Sequence, residues 1–150
     1  MSISPYVRER LSGIARGKIH DIENPISSAC FDVERRESGL TVFSAAVICR
    51  RKNTLALVEA FAQLVKDGAD ARLRLAGPVT EPAYGALLDR RISELGLGSR
   101  IDRLGSIDAA AVRRELAGAS VFALVSLGEN APLGIEEAMA AGVPVVASNR

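Results

Sequence analysis

A chain of 150 residues, of which 48% are apolar and 25% are charged, has the composition of an ordinary globular domain with one core. Its net charge is +1, its aromatic content is 4% and it has no tryptophan. A nucleic-acid surface needs a basic stripe or stacking rings, so we expect no nucleic-acid partner.

Cys30 and Cys49 belong to no Cys-x-x-Cys pair and have no histidine cluster nearby. Neither a metal site nor a disulfide framework is therefore indicated, and we expect buried, reduced thiols. No apolar run approaches the ~18 residues of a membrane span, and the N-terminus lacks the apolar core of a signal peptide. A cytoplasmic protein is the expectation, with His20 on its surface.

The first 38 residues differ from the rest of the chain. Residues 15–39 combine a short apolar alternation, Asn24-Pro25, a serine pair and a charge run, which predicts an edge strand followed by an irregular connection. We therefore divide the chain into a linker-like segment, 1–38, and a domain, 39–150.

From Leu40 onward, apolar runs alternate with segments of helical periodicity. Asn53 is expected to cap the first of these helices and Gly68 to end it. The run beginning at Leu40 is apolar throughout, as in strands buried on both faces. This alternation predicts an α/β fold, an open parallel sheet with helices on both faces. Strands are expected at 40–48, 71–77, 100–105, 120–126 and 143–147, and helices at 53–68, 81–96, 109–119 and just before the last strand.

Ligands of such sheets bind beyond the carboxyl ends of the strands. Polar and glycine-rich residues gather in the loops that follow the strands, whereas the opposite ends contain only turn residues and small spacers. Any chemistry is thus expected in four loops, 49–53, 77–82, 105–108 and 127–134.

The loop after the first strand places Arg50, Arg51 and Lys52 at the start of a helix, where anions are favoured. It could hold a phosphate, or it could be a solvated basic turn. Gly77, after the second strand, could let a ligand approach the backbone or could serve a plain turn.

The last helix carries the sharper signal. Pro132 suits its first turn and Asn130 its cap, which would leave first-turn N–H groups free to hold a phosphate. Glu137 lies about two turns inside, and its carboxylate could reach back to accept from sugar hydroxyls, while Glu136 would face outward. Alternatively, Glu129, Glu136 and Glu137 are acids that the helix dipole favours.

The spacing Glu129-x7-Glu137, followed by Ala-Met-Ala-x-Gly-x-Pro-Val-Val-Ala-Ser, resembles the donor-binding signature of a known family. These are retaining glycosyltransferases of the GT-B type, with two facing Rossmann-like domains, in family 4 (glycosyl transferases group 1). The resemblance covers residues 20 to 150 and includes the segments IENPIS, RRKN with LVEAF, LRLAGP and ELGLGSRIDRLGSID.

The resemblance implies that the chain is the C-terminal donor-binding domain, Rossmann-like and one half of a GT-B fold. It implies that Lys52, with Arg51, contacts the diphosphate of a nucleotide diphosphate sugar and that Glu137 binds the ribose. Glu129 would touch the transferred sugar as the catalytic residue. No metal and no cofactor are implied. The remaining donor contacts would come from Gly77, from Ile107 against the base, and from Asn130, Ala131, Pro132 and Leu133 at the sugar and its phosphate.

The chain departs from the family pattern in three respects. Ala46-Val47 stands where Gly-Arg is usual, so one diphosphate cation is missing unless Arg50 or Arg51 replaces it. Asn130-Ala131-Pro132 stands where Gly-Phe-Gly is frequent, which removes one N–H and stiffens the loop. The third departure is length, since we expect the family's N-terminal acceptor domain and the helices that follow the last strand to be missing from this sequence. We therefore expect a half-enzyme that is inactive alone, with any peripheral membrane association supplied by the absent parts.

A non-catalytic nucleotide or phosphosugar binding module is the alternative function. A dinucleotide-binding oxidoreductase is less consistent with the sequence, because no Gly-x-Gly-x-x-Gly follows the first strand, and a P-loop is also absent.

Overall fold

The computed structural model describes residues 4–36 and 39–149. Strands and helices alternate along the domain after a short first helix and a 3-10 turn at Ser28–Cys30. The strands are β1 Leu40–Ala45, β2 Ala71–Ala76, β3 Ile101–Gly105, β4 Val121–Leu124 and β5 Val145–Ala147. The helices are α1 Pro5–Leu11, α2 Thr54–Lys66, α3 Pro82–Glu94, α4 Ala109–Gly118 and α5 Leu133–Ala140.

All five strands form one parallel sheet in the order β3-β2-β1-β4-β5. The central strand β1 pairs with β2 over its whole length and with β4 through Val42 and Phe43. Chain order reverses between β1 and β4, and in open α/β sheets that is where ligands bind. The predicted Rossmann-like α/β class is confirmed.

The core consists of two apolar clusters, one on each face of the sheet. On one face Val58 and Phe61 of α2 and Leu88 of α3 pack against the strands. On the other face, Leu116 of α4 and Ala138 of α5 pack around Phe43 and Phe122. Alternate residues of β1 and β4 serve opposite clusters, which explains the apolar runs of these two strands.

Two sequence predictions about element bounds are corrected. β1 ends at Ala45 and not at Ile48, because the chain leaves the strand to follow the loop after β2, with Ala46 N donating to Ala76 O at 2.9 Å. Asn53 does precede α2, but in a left-handed conformation (φ 53°), and its side chain makes no capping bond. Gly68 closes the helix as expected, at a positive φ of 97°.

The edge strand predicted within residues 15–39 is wrong for the part that the structure describes, and residues 37 and 38 lie outside that part. The segment instead crosses the domain surface and is tied to it by hydrogen bonds. Arg35 donates to Leu116 O at 3.0 Å and to Ala119 O at 2.5 Å. These bonds to α4 and the turn after it replace a β-ladder. Further upstream, residues 5–11 form α1, which the sequence analysis did not predict.

Cys30 and Cys49 are free thiols and both are buried, as expected, whereas His20 is exposed. Burial raises the pKa of the Cys30 thiol. Among residues 4–36 and 39–149, no helix is long and apolar enough to cross a bilayer.

Candidate functional site

The loops after β1 and β4 are bound to each other at the carboxyl edge of the sheet. Leu127 N donates to Arg51 O at 2.8 Å, and the Arg51 guanidinium donates to Gly128 O at 2.9 Å. The Asn53 amide, free of any capping bond, donates to Val125 O at 3.4 Å. The cations of the first loop are thereby placed against the acidic loop that follows β4.

Lys52 and Glu129 form an ion pair across these two loops, with Lys52 Nζ donating to Glu129 Oε1. Only 14% of the Lys52 side chain and 20% of the Glu129 side chain are exposed. Burial raises the pKa of the Glu129 carboxyl, but the hydrogen bond from Lys52 and the charges of Lys52 and Arg51 outweigh it and leave the pKa below its ordinary value. Glu129 is therefore an ionised carboxylate.

Arg51 is the second cation at this carboxylate, with its Nη1 atom 3.5 Å from Glu129 Oε2. Arg50 has a different environment, since its Nε atom lies 4.0 Å from Glu81 Oε2 and its guanidinium lies 5.9 Å from the Tyr84 ring centroid. Of the two arginines considered as a second diphosphate cation, Arg51 is the one at the site.

A cavity of about 480 Å³ opens beside this pair, and we call it the β1–β4 cavity. Its volume lies within the ~300–1,000 Å³ range of small-molecule sites. It is lined by Arg51, Gly128, Glu129, Asn130, Ala131 and Tyr6. Both charge signs, an amide and an aromatic ring thus face one space, as a sugar phosphate would require.

The start of α5 differs from the prediction. Pro132 occupies the cap position instead of the first turn, and Asn130 is exposed and does not cap the helix. Since proline has no side-chain acceptor, the first-turn N–H groups of Leu133 and Gly134 find no acceptor within residues 4–36 and 39–149. They remain able to donate to an anion, the role expected for the backbone of this loop.

Glu137 lies in the second turn of α5 and is half-buried. Burial raises the pKa of its carboxyl, the charge of Arg113 opposes that rise, and the charge of Glu136 adds to it. No hydrogen bond to the Glu137 side chain is formed among the described residues. A half-buried carboxylate without donors is suited to accept from ligand hydroxyls. Glu136 is also half-buried, so exposure alone does not separate the two acids.

A second cavity of about 260 Å³, the β1–β3 cavity, lies where β1, β2 and β3 end. Val47, Gly77 and Ile107 line it, together with Ala45, Ala46, Ala76, Pro78, Ser106 and Val112. Its lining contains no ionisable side chain. The cavity is suited to a flat, neutral group such as a nucleobase. Val47, which replaces the usual family arginine, faces this space.

Gly77 has a clear structural reason for being glycine. Its φ is +133°, and a Cβ atom there would lie 2.0 Å from Ala46 O. Its N–H donates to Gly105 O at 2.7 Å. Gly77 thus allows the loops after β1, β2 and β3 to pack backbone to backbone, and this packing shapes the cavity floor.

The sequence analysis missed Tyr6 and Asn24. Both belong to the segment that it treated as a linker, and neither stands in a motif that marks a site. Tyr6 lines the β1–β4 cavity, and the Asn24 side chain donates to Ala131 O at 3.2 Å. Only the fold brings them to the loop after β4. In the described parts of the chain, no group of three His, Cys, Asp or Glu side chains could hold a metal ion.

The sheet order and the paired loops define a Rossmann-like α/β domain with its crevice at the carboxyl edge. Residues 39–150, more than half of the chain, match the family described as glycosyl transferases group 1. The chain therefore belongs to that family. None of the curated proteins compared matches it.

Solved structures share the fold. Anabaena HepE, in complex with UDP and glucose, matches with a TM-score of 0.83 and 21% identity over 99% of this chain and 43% of its own. A glycosyltransferase from Rickettsia africae gives 0.84 and 20%, over 98% of this chain and 43% of its own. The C-terminal domain of a glycosyl transferase group 1 family protein from Francisella tularensis gives 0.72 and 20%, over 82% of this chain and 70% of that domain.

This chain spans about two fifths of the length of the first two structures. The third match is to a C-terminal domain alone. The fold is accordingly that of the C-terminal domain of GT-B glycosyltransferases.

Proposed function

We propose that this chain is the donor-binding domain of a retaining glycosyltransferase. In the complete enzyme it would hold a nucleotide diphosphate sugar while the sugar passes to an acceptor with retention of configuration. The observation that carries the proposal is the Lys52–Glu129 pair at the carboxyl edge, where the loops also form a neutral cavity and a polar one. A diphosphate, a base and a sugar need these three environments.

Each part of the donor has a matching group. The base would lie in the β1–β3 cavity against Gly77 and Ile107, and the ribose hydroxyls would donate to the Glu137 carboxylate. Lys52 and Arg51 would neutralise the diphosphate, helped by the free N–H groups at the start of α5.

The transferred sugar would occupy the β1–β4 cavity beside Glu129, which we propose as the catalytic residue. Backbone of residues 130–133 would contact the sugar and its phosphate. HepE, a structural neighbour, has been solved with UDP-glucose, which supports a nucleoside diphosphate donor here. Retention rests on the Glu129-x7-Glu137 resemblance alone.

We propose that residues 39–150 form the donor domain and that residues 1–38 connect it to an acceptor domain. Group transfer needs both substrates oriented in one closed cleft, and orientation supplies much of an enzyme's rate. The 150-residue chain should then bind donor weakly and transfer no sugar. Steady transfer by this chain alone would contradict the half-enzyme proposal.

Calorimetric titration tests the donor assignment. The wild-type chain is titrated with UDP, GDP and ADP and with the corresponding sugar nucleotides, UDP-glucose, GDP-glucose and ADP-glucose. NAD serves as a chemically related control. We expect binding of at least one nucleoside diphosphate, and weaker binding of NAD. Binding of none of the three, or preference for NAD, would overturn the proposal.

A further inference from the structure

The N-terminal segment reaches the candidate donor site, and its contribution there is unassigned. Helix α1 buries none of its residues, yet Tyr6 on this helix lines the β1–β4 cavity together with Arg51, Glu129 and Asn130. Tyr6 is 51% exposed, so the residue is accessible to a ligand.

Tyr6 is held at this position by a series of contacts. Arg8, two residues after Tyr6 in α1, is ion-paired with Asp21. Three residues after Asp21, the Asn24 side chain donates to Ala131 O at 3.2 Å, in the loop that carries Glu129. The helix bearing Tyr6 is thus connected to the wall of the cavity that it faces.

The Tyr6 ring also has a contact within α1. The Arg10 guanidinium lies 5.3 Å from the Tyr6 ring centroid, a cation–π distance. The Tyr6 ring thus has a cationic neighbour on its own helix, and the residue also lines the cavity that contains Glu129 and Asn130. Aromatic rings commonly recognise sugars by stacking on their apolar C–H faces, while polar groups opposite take the hydroxyls.

We propose that Tyr6 is a sugar-contacting residue, which makes residues 4–36 part of the donor site and not only a connection. The ring covers the apolar face of the transferred sugar, opposite Glu129 and Asn130, which take its hydroxyls. This inference rests on the proposed function, because the sugar it names is that of the nucleotide donor.

Calorimetry of Tyr6 variants tests this inference with two ligands. One is whichever of UDP, GDP and ADP the wild type binds best, and the other is the corresponding glucose nucleotide. Tyr6→Ala should weaken the binding of the glucose nucleotide about threefold to tenfold, the effect of losing one aromatic contact. It should leave the affinity for the bare diphosphate within about twofold of the wild type. Tyr6→Phe keeps the ring and should behave like the wild type. Because Tyr6 is exposed, its variants should unfold at the wild-type temperature.

Glu9→Ala is the matched control, since Glu9 is an exposed residue of the same helix and is not part of the cavity lining. It should change neither affinity. If Tyr6→Ala binds both ligands like the wild type, or loses both by one factor, the sugar contact is overturned while the donor assignment stands. If the wild type binds no diphosphate, the proposed function falls and this inference falls with it.

Discussion

Lys52 and Glu129 neutralise each other across two loops of the domain, although we propose that they contact different parts of the donor. Their contact joins the loop after β1 to the loop after β4, and both side chains are largely shielded from water. If the proposed function holds, a diphosphate arriving at Lys52 competes with a carboxylate of this chain. Donor binding and the local stability of the two loops would then be coupled through this one pair.

Lys52→Ala should weaken a nucleoside diphosphate about tenfold or more, because a charge-assisted hydrogen bond contributes about 1.5–3 kcal/mol. Binding of the plain nucleoside should change little, and the loss for the diphosphate should shrink as salt rises. Calorimetric titrations at two salt concentrations measure both effects. Lys66→Ala, which removes an exposed cation from the end of α2, is the control and should bind normally.

Lys52→Ala also leaves Glu129 partly buried with only Arg51 as its ionic partner, so it should lower the free energy of unfolding. The double variant Lys52→Ala with Glu129→Gln removes the unpaired charge. It should recover part of the stability but not the full diphosphate affinity, because the cation of Lys52 is still missing. Full recovery of both would mean that Lys52 acts on folding and not on the ligand.

Glu129→Gln should separate the sugar from the diphosphate. It frees Lys52 from its internal partner, so the affinity for the bare diphosphate should stay the same or rise. The ratio of sugar-nucleotide affinity to diphosphate affinity should fall about tenfold. Titration of both ligands gives that ratio. An equal loss for both would place Glu129 at the phosphates.

The same variant has a stability signature that depends on pH. The pKa of Glu129 is lowered in the folded protein, so its ionised form stabilises the fold above the unfolded pKa, and that contribution disappears as pH falls through the folded pKa. Glu129→Gln should therefore cost roughly 1 kcal/mol near neutral pH and nothing at acid pH. Thermal unfolding across pH checks this, and a cost independent of pH would contradict it.

Much of the fold was predictable because local patterns agree with the tertiary structure. Continuous apolar runs such as the one from Leu40 mark strands buried on both faces, and each is followed by a helix of clear periodicity. The edge strand expected in residues 15–39 failed for a physical reason. Its apolar alternation is short, and side-chain bonds from Arg35 and Asn24 decide its path, which no local pattern encodes.

The site was predictable in so far as it depends on loops at the carboxyl edge. Lys52 and Glu129 stand after neighbouring strands, so a parallel sheet brings them to one edge. Their direct contact was not predicted, because it depends on side-chain conformations and on the hydrogen bonds of Arg51. Tyr6 could not be predicted at all, since it reaches the cavity through contacts of a segment that forms no strand of the sheet.

Glu137→Gln should weaken nucleoside diphosphate binding about tenfold, because a neutral amide loses the charge-assisted bonds to the ribose diol. It should also raise stability near neutral pH by at most about 0.5 kcal/mol. Burial raises the folded pKa of Glu137, so stability falls as pH rises from the unfolded to the folded pKa, and glutamine removes that cost. Calorimetry should show the loss of affinity, and thermal unfolding should show the small gain in stability.

Glu136→Gln is the matched control, on the same helix and similarly half-buried. We expect it to leave diphosphate affinity unchanged. A Glu136 variant as impaired as the Glu137 variant would show that the roles of the two acids on α5 are assigned wrongly.

Gly77→Ala should destabilise the domain by about 2–4 kcal/mol, since it forces a Cβ atom into backbone instead of into a movable side chain. The added atom would lie 2.0 Å from Ala46 O and 2.6 Å from Ala46 C. The loops after β1 and β2 must separate to relieve this overlap. That movement would also deform the β1–β3 cavity. Chemical denaturation gives the free energy of unfolding, and nucleoside titration reports on the cavity.

Substitutions at two other glycines separate the effect of atomic overlap from the effect of backbone strain. Gly96 has φ +67° with no atom within 4 Å of a built Cβ, so Gly96→Ala should cost about 1 kcal/mol through conformation alone. Gly98 has neither a positive φ nor a close neighbour, and Gly98→Ala should stay within about 0.5 kcal/mol of the wild type. The order Gly77, Gly96, Gly98 is the expected result. A Gly77→Ala cost no larger than that of Gly96→Ala would mean that the two loops yield easily, and the β1–β3 cavity could not then be a preformed base site.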